Sequence, residues 1–381
     1  MNEKIKIVAD DKIPFLKGVL EPYSEIEYMD PFKITKDAIA DKDALIIRTR
    51  TICNSKLLEG SKVKFIATAT IGYDHIDVEY CKSKNITWIN APGCNSSSVM
   101  QYMASVLLTT ATKQNFNLSD MTIGIIGVGN VGSKVEKLTK ILGMNVLLND
   151  PPRMRTEGNS GFADLDELIN SSDIITFHVP LIKGGIDKTF YMVDELFFKR
   201  FNTKKIIINT SRGEVIKTSA LKNAIKNKII RGCILDVWEN EPHIDKELLD
   251  MVEIATPHIA GYSADGKANG TAVCVNGINS FFKLGIKKDW YPQEIPLPNN
   301  SYLLDINCSN KSNQQIFNEI ILATYDIIKD DELLKNSLNT FEMQRSNYPL
   351  RREFTFYKIH LVNGNEEITS KLSELGFNVL K

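Results

Sequence analysis

The sequence predicts an α/β protein built on doubly wound parallel sheets, and three observations lead to this fold class. Apolar runs rich in β-branched residues alternate with helix-compatible polar stretches from residue 4 to residue 91. A second alternating series follows between residues 122 and 258. A G-x-G-x-x-G segment separates the first strand of that second series from its first helix. Continuous apolar strands that alternate with helices are typical of parallel sheets covered on both faces.

The first series predicts a unit that ends near residue 95 and is followed by a long helix. Its strands are expected at KIKIVAD (4–10), EIEYMD (25–30), ALIIRT (44–49), KFIATAT (64–70) and TWINA (87–91). The helix is expected over 96–113, because apolar residues recur there at helical spacing and the leading serines can cap its first turn.

The second series predicts six strands, the number found in a doubly wound dinucleotide-binding fold. They are TIGIIG (122–127), MNVLLND (144–150), DIITFHV (173–179), KIIINTS (205–211), CILDVW (233–238) and EIATPH (253–258). A helix is then expected over 266–285, and the proline-rich WYPQEIPLPNN (290–300) is interpreted as a linker. A third unit follows, with strands at SYLLDINC, FTFYKIHLV and FNVLK, one long helix over 314–335, and a shorter helix at EEITSKLSELG.

The composition is ordinary for a globular protein and favours no macromolecular partner. The formal net charge is −1, with 43% hydrophobic and 24% charged residues, so no basic excess points to nucleic acid or to a membrane surface. The apolar run YMASVLLTTA is about half the length needed to span a bilayer. MNEKIKIVAD lacks the apolar core of a signal peptide. Six scattered cysteines without a C-x-x-C motif favour a reduced, cytoplasmic protein without a metal site.

The segment GVGNVG predicts a dinucleotide site. Its first glycine permits a tight turn, its second lets the backbone approach a pyrophosphate, and its third lets helix and strand pack closely. Asp150 ends the next strand, 18 positions after the third glycine, where an acid hydrogen-bonds the ribose hydroxyls and repels a 2′-phosphate. The predicted cofactor is therefore NAD, although Arg153 leaves NADP as an alternative. The loop residues expected to contact it are Gly127, Gly129, Asn130, Val131 and Gly132.

Polar residues follow the carboxyl ends of the later strands, where ligands bind in such sheets. They are Arg212, Asp236, Glu239, Glu241 and His258. A nicotinamide-dependent dehydrogenase of 2-hydroxy acids needs a base, a carboxylate partner for that base, and a cation for the substrate carboxylate. A histidine can accept the hydroxyl proton, a glutamate can stabilise the resulting imidazolium, and an arginine can bind a carboxylate bidentately.

Three motifs together resemble the signatures of the D-isomer-specific 2-hydroxyacid dehydrogenases: INTSRGEV (208–215), ILDVWENEP (234–242) and TPHIAGYS (256–263). In that family the arginine of the S-R-G turn, the glutamate before the proline and the histidine of the last motif are catalytic. The resemblance implies that the catalytic residues here are Arg212, Glu241 and His258. It also implies NAD contacts at Asp150, Val179, Asp236 and Gly261, and substrate contacts at Thr49, Thr70 and Tyr262.

The resemblance extends over nearly the whole chain, to a branch of the family that carries its own C-terminal domain. It rests on FIATATIGYDHID (65–77), APGCNSSSV (91–99), NDPPR (149–153), HIAGYSADGKANGT (258–271), YDIIKDDE (325–332), NYPLRREF (347–354) and ELGFNV (374–379). It implies a flavodoxin-like substrate, or lid, domain over 1–95, completed by the helix near 266–285. A Rossmann NAD-binding domain over 96–265 and a C-terminal α+β dimerisation domain over 286–381 are expected to follow.

The implied substrate is a small phosphorylated hydroxy acid, and the implied partner is a second copy of the chain. Two alternatives stay open: the same chemistry on another acid such as 3-phosphoglycerate, and a non-catalytic NAD-sensing protein. The phosphate needs cations, and we hypothesise that Arg48 and one of Arg351 or Arg352 bind it. Thr49 stands where a serine is common in the family, and Gln101 where a glutamate is common.

The remaining polar residues of interest are expected to have structural roles. In ENEPH (239–243), Glu239 and His243 are interpreted as bystanders of Glu241. His75 is expected to cap a helix or to lie at the surface. His178 ends a strand near the cofactor loop, so a contact with the nicotinamide or a ribose stays open for it.

Overall fold

The computed structural model describes residues 4–158, 161–298 and 301–380 of the 381-residue chain. The strands are β1 Ile5–Asp10, β2 Ser24–Met29, β3 Ala44–Ile47, β4 Phe65–Thr68, β5 Thr87–Ile89, β6 Thr122–Ile126, β7 Asn145–Asn149, β8 Ile174–Phe177, β9 Ile206–Asn209, β10 Gly232–Leu235, β11 Ile254–Ala255, β12 Leu303–Asn307, β13 Lys358–Val362 and β14 Asn378–Leu380.

The helices are α1 Ser55–Leu58, α2 Val78–Ser83, α3 Ser96–Gln114, α4 Gly132–Ile141, α5 Pro151–Glu157, α6 Leu165–Ser171, α7 Glu195–Lys199, α8 Thr218–Lys226, α9 Lys246–Met251, α10 Ala264–Phe282, α11 Asn313–Thr324, α12 Ile327–Asn336, α13 Phe341–Ser346 and α14 Glu366–Leu375. Short 3-10 turns lie at Pro31–Lys33, Leu118–Asp120, Gly213–Val215, Leu338–Thr340 and Phe354–Phe356. Among the described residues, no helix combines the length and the apolar character required for a transmembrane segment.

The first compact unit comprises the chain up to Asn95 together with Ser263–Pro296. Its parallel sheet has the order β2-β1-β3-β4-β5, which is that of flavodoxin-like folds. Both faces are covered, since Ile7 and its neighbour Val8 are fully buried in different hydrophobic clusters. Helix α10 returns to this unit and packs against β4, where a Cβ on Gly270 would lie 2.9 Å from the carbonyl oxygen of Ala69. The expected α/β unit is therefore confirmed.

The second unit comprises Ser96–Tyr262 together with the chain from Leu297 onward. Its main sheet is parallel and has the order β11-β10-β9-β8-β6-β7, with the six predicted strands. The chain direction across the sheet reverses at β6, so a topological switch point lies between β6 and β8. Open α/β sheets bind their ligands at such a point, beyond the carboxyl ends of the strands. The G-x-G-x-x-G loop follows β6 directly.

The C-terminal segment from Leu297 has a parallel sheet of its own, with the order β12-β13-β14. Its helices nevertheless share a hydrophobic core with the larger sheet. Phe317 and Ile320 of α11 join the same cluster as Val106 of α3 and Ile125 of β6. Apolar packing therefore joins the C-terminal segment to the main sheet of the second unit. In the predicted linker 290–300, Asn299 and Asn300 lie outside the described residues.

The single helix predicted over 314–335 is wrong, because the chain forms two helices there, α11 and α12. Tyr325 between them has an extended backbone (φ −156°, ψ 110°), and Asp326 caps α12 by accepting the N–H of Ile328 at 3.2 Å. The Tyr325 hydroxyl donates to Asp330 at 2.8 Å. Both helices keep apolar residues at helical spacing, so periodicity alone does not reveal the break. Helix α13 was not predicted.

Candidate active site

Glycines shape the loop after β6. Gly127 has a φ of 87°, and a Cβ there would lie 2.7 Å from the carbonyl oxygen of His178. A Cβ on Gly132 would lie 2.0 Å from the carbonyl oxygen of Gly127, so only glycine fits without rearrangement. At Gly129 a Cβ would meet nothing within 4 Å, and the N-cap residue Val131 gives no side-chain hydrogen bond to α4. Open backbone at a helix N-terminus is suited to a pyrophosphate.

Asp150 ties this loop to the end of β7. Its Oδ2 accepts the N–H of Val128 at 2.8 Å, and its Oδ1 accepts the N–H of Arg153 at 3.1 Å as the cap of α5. The Arg153 guanidinium donates to Glu157 at 2.7 Å and to the carbonyl oxygen of Val128 at 2.7 Å. Arg153, the cation that would bind the 2′-phosphate of NADP, is therefore already paired with the carboxylate of Glu157. These contacts fit NAD better than NADP.

Val179 and His178 follow β8 on the other side of the switch point. A Cβ on Gly127 would lie 2.7 Å from Val179 Cγ1, so the predicted cofactor residue Val179 adjoins the loop. The His178 ring hydrogen-bonds the hydroxyls of Thr176 at 3.0 Å and Thr210 at 3.2 Å. Burial lowers the pKa of His178 to about 3. Its imidazole is therefore neutral at physiological pH.

His258 and Glu241 form a hydrogen-bonded pair. The His258 Nδ1 lies 2.7 Å from Glu241 Oε2, and the N–H of Trp238 donates to Glu241 Oε1 at 2.9 Å. Burial would raise the pKa of Glu241, but the charge and hydrogen bond of His258, the Trp238 N–H and the charge of Arg345 outweigh it. The pKa of Glu241 is consequently lower than usual. The imidazole is 31% exposed, and its Nε2 has no hydrogen-bond partner within the described part of the chain.

The carboxylate of Asp236 holds the turn that carries His258. It accepts the N–H groups of Ile259 at 2.8 Å and Ala260 at 2.9 Å, and the hydroxyl of Thr256 at 2.6 Å. The His258 N–H donates to the carbonyl oxygen of Asp236 at 2.7 Å. Burial raises the pKa of Asp236, against the charge of His258 and these hydrogen bonds. The predicted cofactor residue Asp236 therefore also fixes the backbone around the histidine, and Gly261 ends the same turn.

Arg212 lies in a turn that packs against the strand-end loop of Glu241. Gly213 permits this approach, since a Cβ there would lie 2.0 Å from the carbonyl carbon of Trp238. The Asn209 side chain stabilises the turn by donating to the carbonyl oxygen of Arg212 at 2.8 Å. Arg212 is half-buried, and its Nη1 donates to the carbonyl oxygen of Ser211 at 2.9 Å. The three predicted catalytic residues thus belong to adjoining loops at one edge of the second unit's sheet.

Three predicted substrate residues lie within the first unit. Arg48 follows β3, and its Nε and Nη2 donate to the buried carboxylate of Asp10 at 3.0 and 3.2 Å. Thr49 is exposed in the next turn. The Thr70 hydroxyl follows β4 and donates to the carbonyl oxygen of Gly72 at 2.9 Å. All three follow carboxyl ends of strands, and their contacts with substrate remain predictions.

Tyr262 lies next to a cation that the sequence analysis missed. The Arg345 guanidinium carbon is 5.9 Å from the centre of the Tyr262 ring, and its Nη1 donates to Glu342 at 2.8 Å. The same charge contributes to the low pKa of Glu241. Arg345 lies in α13, an element without a sequence signal, so only the tertiary fold reveals its place beside the site.

Arg351 is engaged by the protein backbone, and the hypothesis that it or Arg352 binds the substrate phosphate stays a prediction. Arg351 is 5% exposed, and its Nη2 donates to the carbonyl oxygens of Ile259 at 3.1 Å and Ala260 at 2.6 Å. Arg352 is also buried, with its guanidinium carbon 4.1 Å from the centre of the Phe356 ring. Arg351 is therefore committed to the backbone immediately after His258.

The other polar residues of interest have structural positions. Glu239 accepts the N–H of Thr218 at 2.6 Å at the start of α8, and His243 is exposed in a loop. The surface or capping role expected for His75 is wrong, because the ring is buried with its Nε2 3.0 Å from the hydroxyl of Thr68. The neighbouring glutamate and histidine of ENEPH thus lie apart from the Glu241–His258 pair.

Comparisons with known proteins decide the family. A family model for the NAD-binding domain of D-isomer specific 2-hydroxyacid dehydrogenases matches residues 99–260. A protein of Bacteroides thetaiotaomicron named erythronate-4-phosphate dehydrogenase is 51% identical over 356 residues, which is 93% of this chain and 99% of the relative. The chain belongs to the erythronate-4-phosphate dehydrogenase family. A further model, for a domain of unknown function, matches residues 297–376.

Other members of the erythronate-4-phosphate dehydrogenase family are similar over the same length. An Escherichia coli relative of that name is 35% identical over 99% of both chains. Among solved structures, D-lactate dehydrogenase of Aquifex aeolicus, complexed with NAD and lactic acid, is 27% identical with a TM-score of 0.61, covering 73% of this chain and 95% of that one. NAD-bound 3-phosphoglycerate dehydrogenase of Entamoeba histolytica, 24% identical with a TM-score of 0.63 and coverage of 77% and 100%, shows the same fold.

The chain is therefore an NAD-dependent dehydrogenase of the 2-hydroxyacid type.

A pair of glycine substitutions tests the cofactor loop. Gly132→Ala is expected to destabilise the free protein by about 1–3 kcal/mol, since its Cβ overlaps the Gly127 carbonyl oxygen. Gly129→Ala is expected to leave the melting temperature of the free protein unchanged but to weaken NAD binding, since its Cβ would occupy the open side of the loop. Thermal melts and NAD titrations of both variants measure this. Unchanged NAD affinity in Gly129→Ala would place the pyrophosphate elsewhere.

Proposed function

We propose that this chain oxidises 4-phospho-D-erythronate at C2 with NAD, giving (R)-3-hydroxy-2-oxo-4-phosphooxybutanoate in the biosynthesis of pyridoxal 5′-phosphate. The observation that carries the chemistry is the 2.7 Å contact between His258 Nδ1 and Glu241 Oε2, next to the turn of Arg212. The choice of substrate is supported by the relatives named erythronate-4-phosphate dehydrogenase, which match nearly the full length of the chain.

The residues around the glycine loop fit NAD. Gly129 leaves room for the pyrophosphate, Asp150 supplies a carboxylate for ribose hydroxyls, and Val179 borders the loop from β8. Gly261 and Asp236 lie at the His258 turn, where the nicotinamide end would be held. When bound, NAD supplies the acceptor for the hydride that leaves C2 of the substrate.

His258 acts as the general base. Its Nδ1 is engaged by Glu241, so Nε2 is the atom left to take the proton of the C2 hydroxyl. The Glu241 carboxylate stabilises the imidazolium that forms. Because the pKa of Glu241 is lowered, this stabilisation is complete above the ordinary glutamate value of 4.5 and is lost as pH falls through the lower folded-state pKa. The lowered pKa therefore keeps the Glu241 carboxylate ionised throughout the neutral range.

Arg212 binds the substrate carboxylate and polarises the oxygen at C2 as the carbonyl forms. A guanidinium is suited to this because its planar fork matches two carboxylate oxygens. Tyr262 and Arg345 of the same unit are candidates for contacts with the rest of the substrate. Arg48, Thr49 and Thr70 remain predicted contacts, with the Arg48 charge balanced by Asp10.

A substrate panel tests the function. Purified protein is assayed for NADH formation with 4-phospho-D-erythronate, 3-phosphoglycerate and unphosphorylated D-erythronate, with NAD and NADP in parallel. We expect kcat/KM to be highest for 4-phospho-D-erythronate with NAD. The variant His258→Gln tests the general base in the same assay. Its kcat is expected to fall by about 10²–10⁴-fold because the general base is removed.

The panel also separates the alternatives. Preferred turnover of 3-phosphoglycerate would make the chain a dehydrogenase of that acid. NAD binding without turnover of any hydroxy acid would favour a non-catalytic NAD sensor. Full activity of His258→Gln would contradict the mechanism while leaving the substrate assignment intact.

We also propose that two copies of the chain associate through the C-terminal sheet. One face of that sheet packs on its helices through residues such as Ile359, which is fully buried. The other face exposes large apolar side chains on three neighbouring strands. They are Leu303 (41% exposed), Val362 (41%) and Leu380 (38%). Val362 and Leu380 are diagonal neighbours on this face and support an interface, and twofold symmetry allows one face to meet its own copy.

Sedimentation velocity tests this association. The wild-type chain is expected to sediment as a dimer, at about twice its 42.9 kDa mass. The double variant Val362→Asp/Leu380→Asp is expected to sediment as a monomer, because it places two charges in the proposed interface. Leu333→Asp on α12 is the matched control, since Leu333 is 50% exposed away from the sheet. A monomeric wild-type chain would contradict the proposal.

A further inference from the structure

We propose that Arg351 is a positioning residue that holds His258 in its reactive orientation. Arg351 belongs to the C-terminal segment, 93 positions after His258 in the sequence. The inference rests on the proposed function, in which His258 accepts the substrate proton. It assigns to the C-terminal segment a part in catalysis that is separate from dimer formation.

The guanidinium of Arg351 contacts the backbone carbonyl groups of the two residues that follow His258. Its Nη2 donates to the carbonyl oxygen of Ile259 at 3.1 Å and to that of Ala260 at 2.6 Å. The N–H groups of the same two residues donate to the carboxylate of Asp236. The turn is therefore held on one side by an anion and on the other by a cation.

This double attachment bears on the histidine because the His258 backbone is in an uncommon conformation. His258 has a φ of 57°, in the left-handed region, where non-glycine residues are held only by surrounding contacts. Its N–H donates to the carbonyl oxygen of Asp236 at 2.7 Å. Loss of the Arg351 contacts would free the following peptides to rotate and would move the imidazole relative to Glu241.

The surroundings of Arg351 favour a fixed position over a surface role. The guanidinium carbon lies 4.4 Å from the centre of the Tyr325 ring, and the charge of Asp330 lies near enough to stabilise the cation. The Nε and Nη1 atoms are buried and have no hydrogen-bond partner within the described residues. Burying a cation whose donors are partly unpaired costs free energy of folding. What Arg351 contributes at this position is its pair of hydrogen bonds to the turn after His258.

A second cation of the C-terminal segment offers a matched control. Lys335 donates to the carbonyl oxygens of Val252 at 3.1 Å and Glu253 at 3.0 Å, at the opposite end of β11. Lys335 therefore binds carbonyl oxygens just before β11, whereas Arg351 binds carbonyl oxygens of the turn that follows it. Only Arg351 contacts the turn of His258.

The experiment compares Arg351→Ala, Arg351→Lys and Lys335→Met with wild type, using 4-phospho-D-erythronate and NAD. Arg351→Ala is expected to lose about 10²-fold in kcat, because small displacements of a catalytic group have costs of that order, with KM for NAD unchanged. Millimolar guanidinium chloride is expected to restore at least about tenfold of that loss in Arg351→Ala alone. Lys335→Met is expected to melt at a lower temperature and to keep the wild-type kcat.

A proton NMR measurement without substrate separates failure of this inference from failure of the proposed function. The strongly hydrogen-bonded Nδ1 proton of His258 gives a low-field resonance, identified by its loss in His258→Gln. The resonance is expected in wild type and Lys335→Met, and is expected to be lost in Arg351→Ala. If wild type shows no turnover, the proposed function fails and this resonance alone decides the inference.

Two outcomes would overturn the proposal. One is wild-type kcat and an intact low-field resonance in Arg351→Ala. The other is a loss of kcat in Lys335→Met that matches the loss in Arg351→Ala, which would make both cations structural. Should Arg351→Ala fail to fold, the same readouts apply to Arg351→Lys, which keeps the charge but lacks the planar fork.

Discussion

The buried carboxylate of Asp236 fixes the backbone on which the proposed chemistry depends. The carboxylate accepts hydrogen bonds from the N–H groups of Ile259 and Ala260 and from the hydroxyl of Thr256. The backbone carbonyl oxygen of Asp236 accepts the N–H of His258. Hydrogen bonds to a charged group stabilise by about 1.5–3 kcal/mol each, whereas a left-handed non-glycine residue costs about 1–3 kcal/mol. These hydrogen bonds, together with those that Arg351 donates to the carbonyl oxygens of Ile259 and Ala260, offset the strain at His258. The imidazole is presented in one orientation before any substrate binds.

The charges around that turn are arranged in pairs. Glu241 meets His258, Arg345 adds a positive charge near Glu241, and Arg351 opposes Asp236 across the turn. Two of these cations come from the C-terminal segment, whose helices share a hydrophobic core with the nucleotide sheet. The proposed active site therefore depends on a part of the chain that does not belong to the dinucleotide fold. The packing of the segment on the sheet therefore also positions these two arginines beside the site.

The strands and the glycine loop could be predicted from the sequence because each has a local signal, whereas the Glu241–His258 pairing was predicted from the resemblance to the 2-hydroxyacid dehydrogenase motifs. Apolar runs mark the strands, glycine spacing marks the loop, and strand ends in parallel sheets meet at one edge. The break at Tyr325 could not be predicted, because apolar periodicity continues through it. The placements of Arg345 and Arg351 could not be predicted either, since they arise from contacts such as Arg351 to Ile259, 92 positions apart. No local pattern encodes such a distance.

The central claim is that Glu241 and His258 act as one unit, and a double-mutant cycle in kcat/KM tests it most directly. Glu241→Gln, His258→Gln and the double variant are assayed with 4-phospho-D-erythronate and NAD. Residues that act as a unit are strongly non-additive, so the double variant is expected to be no slower than His258→Gln alone. Effects that instead multiply, with the double variant slower than either single variant by the full product, would show that the two side chains act independently and would contradict the account.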